Sequence, residues 1–206
     1  MARKTKKLRQ RSTFIIITNG RESERNYFKI LRGVRHSVYD IKVEFENAAP
    51  IGLVTRAIRE KHLSNQVWVV FDKDEFPSDA INEAIHVAHQ NEIGVALSNA
   101  AFEVWLINHF GEFSIEKTPS ELIQILDVVL KKHGYTAGYS KNDLNVIKEV
   151  FLTRLDDALH NADVALQRRV VEYNRVHPDV QSPPYWDWNS CTTVHKLVEA
   201  MKLEVR

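Results

Sequence analysis

Cysteine is nearly missing from these 206 residues: Cys191 stands alone. No internal disulfide can form, and a thiolate zinc site would need its other ligands from histidines or from another chain, so structural zinc is not expected. Long hydrophobic runs are missing too. The longest, such as Phe14 to Ile17 and Val67 to Phe71, fall far short of the roughly 20 residues that cross a bilayer. Met1 is followed by basic residues without an apolar core of signal-peptide length, so neither membrane association nor export is expected and the expected location is cytoplasmic. No internal repeat and no low-complexity tract interrupts the chain.

What is present reads as an ordinary globular protein, with 44% hydrophobic and 27% charged residues. The net charge of +1 hides an asymmetry. Arg3, Lys4, Lys6, Lys7, Arg9 and Arg11 precede Thr13 with no acid among them, and the rest of the chain carries 22 basic against 27 acidic residues. Residues 1–12 therefore read as a basic N-terminal arm, either a phosphate-binding segment whose affinity falls as salt rises or a solvated tail.

From Phe14 to about Phe110 the pattern alternates strands with helices. Phe14 to Thr18 is β-rich and closed by Asn19-Gly20, and a helix follows over Glu22 to Leu31. Ile41 to Phe45 alternates apolar with polar residues, as a half-buried or edge strand does. Pro50 and Gly52 introduce a helix to about His62, and Val67 to Phe71 is apolar on both faces, the pattern of a central parallel strand. Ser78 or Asp79 is expected to cap a helix to about Asn91; a short strand over Gly94 to Ser98 and a helix over Ala101 to Phe110 follow. The alternation predicts an α/β domain over 13–112 with a mostly parallel sheet between helices. Over 113–206 the β signal disappears. Helices are expected at Ser120 to His133, Lys141 to Thr153, Leu155 to Arg175 and Thr192 to Lys202, forming a helical C-terminal layer packed on the sheet.

In open parallel sheets the ligand crevice lies at the carboxyl ends of the strands. Asn19, the pair Asp72 and Asp74, and Ser98 with Asn99 all follow strands. Asp72 and Asp74 are two residues apart, which on extended backbone turns both carboxylates to one face with Cα atoms about 7 Å apart. A hard cation of the magnesium type suits such oxygens, and manganese fits similarly. An EF-hand is excluded because the required glycine and distal glutamate do not follow. The competing reading of Asp-Lys-Asp-Glu is a polar loop leading into the next helix. Glu22, Glu24 and Glu103 fall in first helical turns, where acids are favoured by the helix dipole with or without a chemical role. His86 and His89 lie on an ordinary amphipathic face and read as solvated.

Three segments resemble the RloB-like family: Thr18-Asn-Gly-Arg-Glu-Ser-Glu-Arg-Asn-Tyr-Phe28, Val67-Trp-Val-Val-Phe-Asp-Lys-Asp-Glu75, and Leu97-Ser-Asn-Ala-Ala-Phe-Glu-Val-Trp-Leu106, continued by His109-Phe110. Ser190 to Val198 is similar to the family's C-terminal signature. The resemblance implies a Toprim-like protein of a bacterial defence locus, often encoded beside an ATPase of the ABC or AAA type, whose related domains cut or rejoin nucleic acid. It further implies catalytic roles for Glu24, Asp72, Asp74 and Glu103, with Mg²⁺ or Mn²⁺ held by Asp72, Asp74 and Glu24. One departure stands out. The family carries a glutamate in the turn after the first strand, where this chain has Asn19, whose amide can position a water or substrate but cannot act as a base near neutral pH. The expected activity is metal-dependent phosphodiester cleavage; the alternative is a degenerate adaptor or sensor that binds nucleic acid or a phosphorylated ligand and regulates the ATPase.

Overall fold

Phe14 and Ile16 point to one face of the sheet and Ile15 and Ile17 to the other, and all four are buried. Strand β1 (Thr13–Thr18) must therefore be covered on both sides, as a parallel interior strand is. The computed structural model describes residues 12–61, 66–73, 76–180 and 183–204. After β1 come α1 (Ser23–Val34), the two-residue strand β2 (His36–Ser37), β3 (Asp40–Phe45), α2 (Pro50–Lys61), β4 (Gln66–Asp72), α3 (Ser78–Gln90), β5 (Gly94–Asn99) and α4 (Glu103–Asn108). The C-terminal part supplies α5 (Pro119–Lys132), α6 (Leu144–Val146) with a π turn and a 3₁₀ turn behind it, α7 (Leu155–Val176), a 3₁₀ turn (Tyr185–Asp187), β6 (Cys191–Thr192), α8 (Val194–Ala200) and β7 (Leu203–Glu204).

The main sheet runs β3-β1-β4-β5-β6. Its first four strands are parallel, with Phe14 opposite Ile41 and Gln66, and Asp72 opposite Ser98. The mostly parallel α/β architecture, the central place of β4 and the edge place of β3 match the sequence expectation. One face carries Ile15, Ile17, Val67, Val69, Phe71, Val95 and Leu97 against α2 and α3. The other packs Phe14, Ile16, Val70 and Ala96 beneath α1, α4 and the C-terminal helices, around a cluster of Tyr27, Phe28, Phe102, Trp105 and Phe151. No described helix is long and apolar enough to cross a membrane.

Four local expectations need correction. Strands recur beyond residue 112: β6 adds antiparallel to β5, and β7 pairs with β2. The helix expected from Thr192 begins instead at Val194, because Thr193 binds back to the sheet, its N–H donating to Leu97 O at 2.9 Å and its hydroxyl accepting from Leu97 N at 3.0 Å. The single helix expected over Lys141 to Thr153 is broken. Asp143 caps its start by accepting from Asn145 and Val146 N–H groups, and a π turn over Ile147–Phe151 leads into a 3₁₀ turn over Leu152–Arg154. The wider turn keeps Val146, Ile147, Phe151 and Leu152 all buried, although they do not repeat at the α-helical period. Neither Ser78 nor Asp79 caps α3, whose N-cap is Pro77; the Ser78 hydroxyl is engaged by Lys73 and Asp187.

Candidate active-site cleft

At the carboxyl end of β1 the Thr18 hydroxyl donates to Gly20 O at 2.9 Å, and Asn19 N–H donates to Val70 O at 2.9 Å. These bonds turn the chain sharply while holding Asn19 beside β4. Glu24, in the first turn of α1, folds back over the turn. A Cβ placed on Gly20 would lie 1.7 Å from Glu24 Oε2, so only glycine leaves room for that carboxylate. Glu24 is just 5% exposed.

Asp72 closes β4. Its Oδ2 accepts from Phe102 N–H at 3.1 Å, which ties the strand end to the entrance of α4. Glu103, the first residue of that helix, is 1% exposed. A carboxylate so deeply placed needs donors or a counter-charge, and both come from the loop after α5. Tyr139 Oη donates to Glu103 Oε1 at 3.0 Å, and Lys141 Nζ pairs with the same oxygen at 3.4 Å. Tyr139 is held in turn by its backbone N–H on Asp127 Oδ1 at 3.2 Å, and its hydroxyl lies 3.4 Å from Ser23 Oγ. Burial, then the charge of Glu103, pushes the Tyr139 phenol above its ordinary range and keeps it a donor. For Lys141 burial works against the charge, but Glu103, Glu24 and Asp72 outweigh it and hold the ammonium above its usual range.

Asn19, Gly20, Ser23, Glu24, Asp72, Phe102, Glu103 and Lys141 line one cleft of about 570 Å³, which also takes in Arg21, Glu22, Phe45, Asn47 and Phe76. Its four acidic and two basic side chains give a net charge of −2 among the described residues. Asn19, Glu22, Glu24, Asp72 and Glu103, picked out by their places after strands and in first helical turns, are all brought together here. Asp74 lies outside the described residues, as do residues 1–11 of the basic arm over 1–12. Among the described residues, no group of three or more His, Cys, Asp or Glu side chains is arranged to hold a metal ion.

Ser98 and Asn99 do not join the cleft. Ser98 Oγ bonds Thr192 Oγ1 of β6 at 3.0 Å and Asn99 Nδ2 donates to Trp186 O of the Tyr185–Asp187 turn at 2.9 Å, so β6 and that turn take the two groups. Lys73, between the two aspartates, likewise turns elsewhere. Its ammonium donates to Ser78 Oγ at 3.0 Å and pairs with Asp187, which also accepts from Ser78 Oγ at 2.6 Å. Burial opposes ionisation of Asp187, yet Lys73 and Ser78 prevail and hold its carboxyl below the usual range. His86 and His89 are solvent-exposed, as expected. Sequence reasoning missed Tyr139 and Lys141. They stand 36 and 38 positions after Glu103, and the only signal nearby is a glycine-bounded turn at 134–138.

A family model described as RloB-like protein matches residues 14–201. No curated protein and no solved structure matches the chain.

Proposed function

The chain belongs to the RloB-like protein family, and from that membership together with its acidic cleft we propose that it is a Toprim-like, metal-dependent nuclease subunit of an antiviral defence system, acting on nucleic-acid phosphodiesters beside an ATPase of the ABC or AAA type. The observation that carries the reading is the gathering of Glu24, Asp72 and Glu103, from three separate elements, around one open cleft at the carboxyl ends of parallel strands. Structural acids are usually solvated or singly paired. Three converging on a concave surface, two of them almost fully buried, make a costly arrangement that functional sites tolerate.

The donor chemistry suits a hard divalent cation, since among the described residues the cleft offers carboxylate oxygens and no thiolate or imidazole. Asp72 and Glu24, with Asp74 two positions after Asp72, would hold Mg²⁺ or Mn²⁺, and Glu103 would complete or orient the set. When bound, such an ion supplies charge stabilisation at phosphorus and a more acidic water. The chain's own contributions are separate from it. The Phe102 N–H fixes one oxygen of Asp72, Tyr139 fixes one oxygen of Glu103, and the Asn19 amide, standing where the family has glutamate, orients a water or a substrate oxygen without taking its proton.

A second reading is favoured by that same Asn19: a catalytically degenerate adaptor or sensor that binds nucleic acid or a phosphorylated ligand and regulates the ATPase. One experiment separates the two. Purified protein is offered tRNA, plasmid and single strands with Mg²⁺ or Mn²⁺, with and without the partner ATPase, as parent, Asp72→Asn and Asn19→Glu. Cleavage by the parent that Asp72→Asn abolishes supports the nuclease. Tight Mn²⁺ binding by Asn19→Glu with no cleavage by any form supports the adaptor.

A further inference from the structure

The cleft is acidic, yet a phosphodiester is an anion. A bound divalent ion would offset part of the repulsion, side-chain cations can offset more, and the described lining residues include two, Arg21 and Lys141. Arg21 sits on the exposed turn before α1. Lys141 is placed differently. Its loop is pinned where Tyr139 N–H meets Asp127 and where Tyr135 Oη meets Asp143, and its side chain leans over the carboxylates to meet Glu103, remaining 48% exposed on the cleft side. The 3.4 Å separation from Glu103 Oε1 is a loose pairing, and that oxygen already accepts from Tyr139 at 3.0 Å. An ammonium has three donors on a flexible stem and can turn toward a new oxygen at little cost.

We propose that Lys141 is the phosphate-binding residue of the cleft, resting on Glu103 in the free protein and turning to a non-bridging oxygen of the substrate phosphodiester when it binds. The inference rests on the phosphodiester reading of the cleft and deepens it by naming the side chain that admits the anion. It carries a consequence of opposite sign for cations. Lys141 and a divalent ion are attracted by the same carboxylates, so removing the ammonium must strengthen cation binding while weakening phosphate binding. A lysine serving only to hold the loop in place could not do both, since its loss would disorder the acids and weaken either ligand.

The test uses the full chain as parent, Lys141→Met, Lys141→Arg and Arg21→Met. Mn²⁺ is titrated by calorimetry, and a fluorescent single-stranded oligonucleotide by anisotropy at several salt concentrations. Lys141→Met is expected to bind Mn²⁺ several-fold more tightly and the oligonucleotide about 10-fold more weakly, with the salt slope reduced by about one. Lys141→Arg, which keeps the charge, recovers most of the oligonucleotide affinity. Lys141→Met that matches the parent on the oligonucleotide, or that loses both ligands, overturns the assignment alone, as does a loss confined to Arg21→Met. A parent that binds neither Mn²⁺ nor the oligonucleotide overturns the phosphodiester reading and the role of Lys141 together.

Discussion

Replacing Gly20 with alanine adds one methyl group where the structure leaves no space for it. The new Cβ would meet Glu24 Oε2 at 1.7 Å, Cδ at 1.9 Å and Oε1 at 2.0 Å, whereas real Cβ contacts do not fall below 3.0 Å. The Glu24 carboxylate must therefore retreat by at least 1.3 Å, the difference between 1.7 and 3.0 Å. Because it is the far end of a flexible side chain, the retreat costs about 0.5–1.5 kcal/mol in rotamer strain. That is small against a typical folding stability of roughly 5–15 kcal/mol. The fold survives, but the carboxylate is displaced from its observed place in the cleft. Displacing a group that orients or completes a metal site typically lowers affinity ~10–100-fold, and Mn²⁺ calorimetry on Gly20→Ala is expected to show a loss of that size with only a small fall in Tm. Gly33→Ala is the control. No atom lies within 4 Å of a Cβ there and the residue is inside α1, so Mn²⁺ binding should stay unchanged while stability rises by up to about 1 kcal/mol. Parental Mn²⁺ affinity in Gly20→Ala would refute the proposed role of Glu24 in metal binding.

Acid stability should depend on two buried histidines. Burial, reinforced by Lys196 and opposed by Asp163, pushes His195 down to about 4, and burial likewise pushes His109 down to about 3. Both are neutral in the folded protein above those values, while the unfolded chain takes up protons from about pH 6.5. The stability tied to their neutral forms is fully present above pH 6.5 and is lost as the pH falls toward 4, about 2–3 kcal/mol at pH 4.5 for His195. Denaturant unfolding of parent and His195→Leu at pH 7 and 4.5 should show a shallower pH dependence in the variant; equal slopes would contradict the burial argument. Cys191 is buried and its thiol is pushed up to about 12, with burial the dominant cause. A disulfide-forming thiol reagent should label it only under denaturing conditions, and rapid labelling of the native protein would show that this side of β6 opens.

The sheet was legible because its strands carry their burial in their composition. Val67 to Phe71 has no polar face to offer water, and Ile41 to Phe45 has one on every second residue, so the central place of β4 and a half-buried or edge place for β3 follow from the pattern. The cleft was half legible. Asn19, Glu24, Asp72 and Glu103 sit where strands end and helices begin, and parallel topology carries such ends to one rim. Strand ends do not reveal which neighbour claims a side chain. Ser98 and Asn99 satisfy the same positional rule, yet β6 and the Tyr185–Asp187 turn take both of them. Nor can two residues display a period, so β6 and β7 left no trace. Tyr139 and Lys141 were invisible for another reason: their role depends on where a distant loop packs, and no local pattern records it.

The pairing of Glu103 with Tyr139 and Lys141 makes the cleft a nonlocal object. Its acids belong to the first half of the chain, while the donors that make burial of Glu103 tolerable belong to the second. A segment ending before residue 139 would contain every acid of the rim but would have to bury one of them without its donors. The same segment would lack β6, leaving β5 as an unpaired sheet edge. Completion of the rim is thus tied to docking of the helical half. Loosening α5 or the loop behind it at a distance from the acids should disturb the carboxylates as surely as a substitution among them.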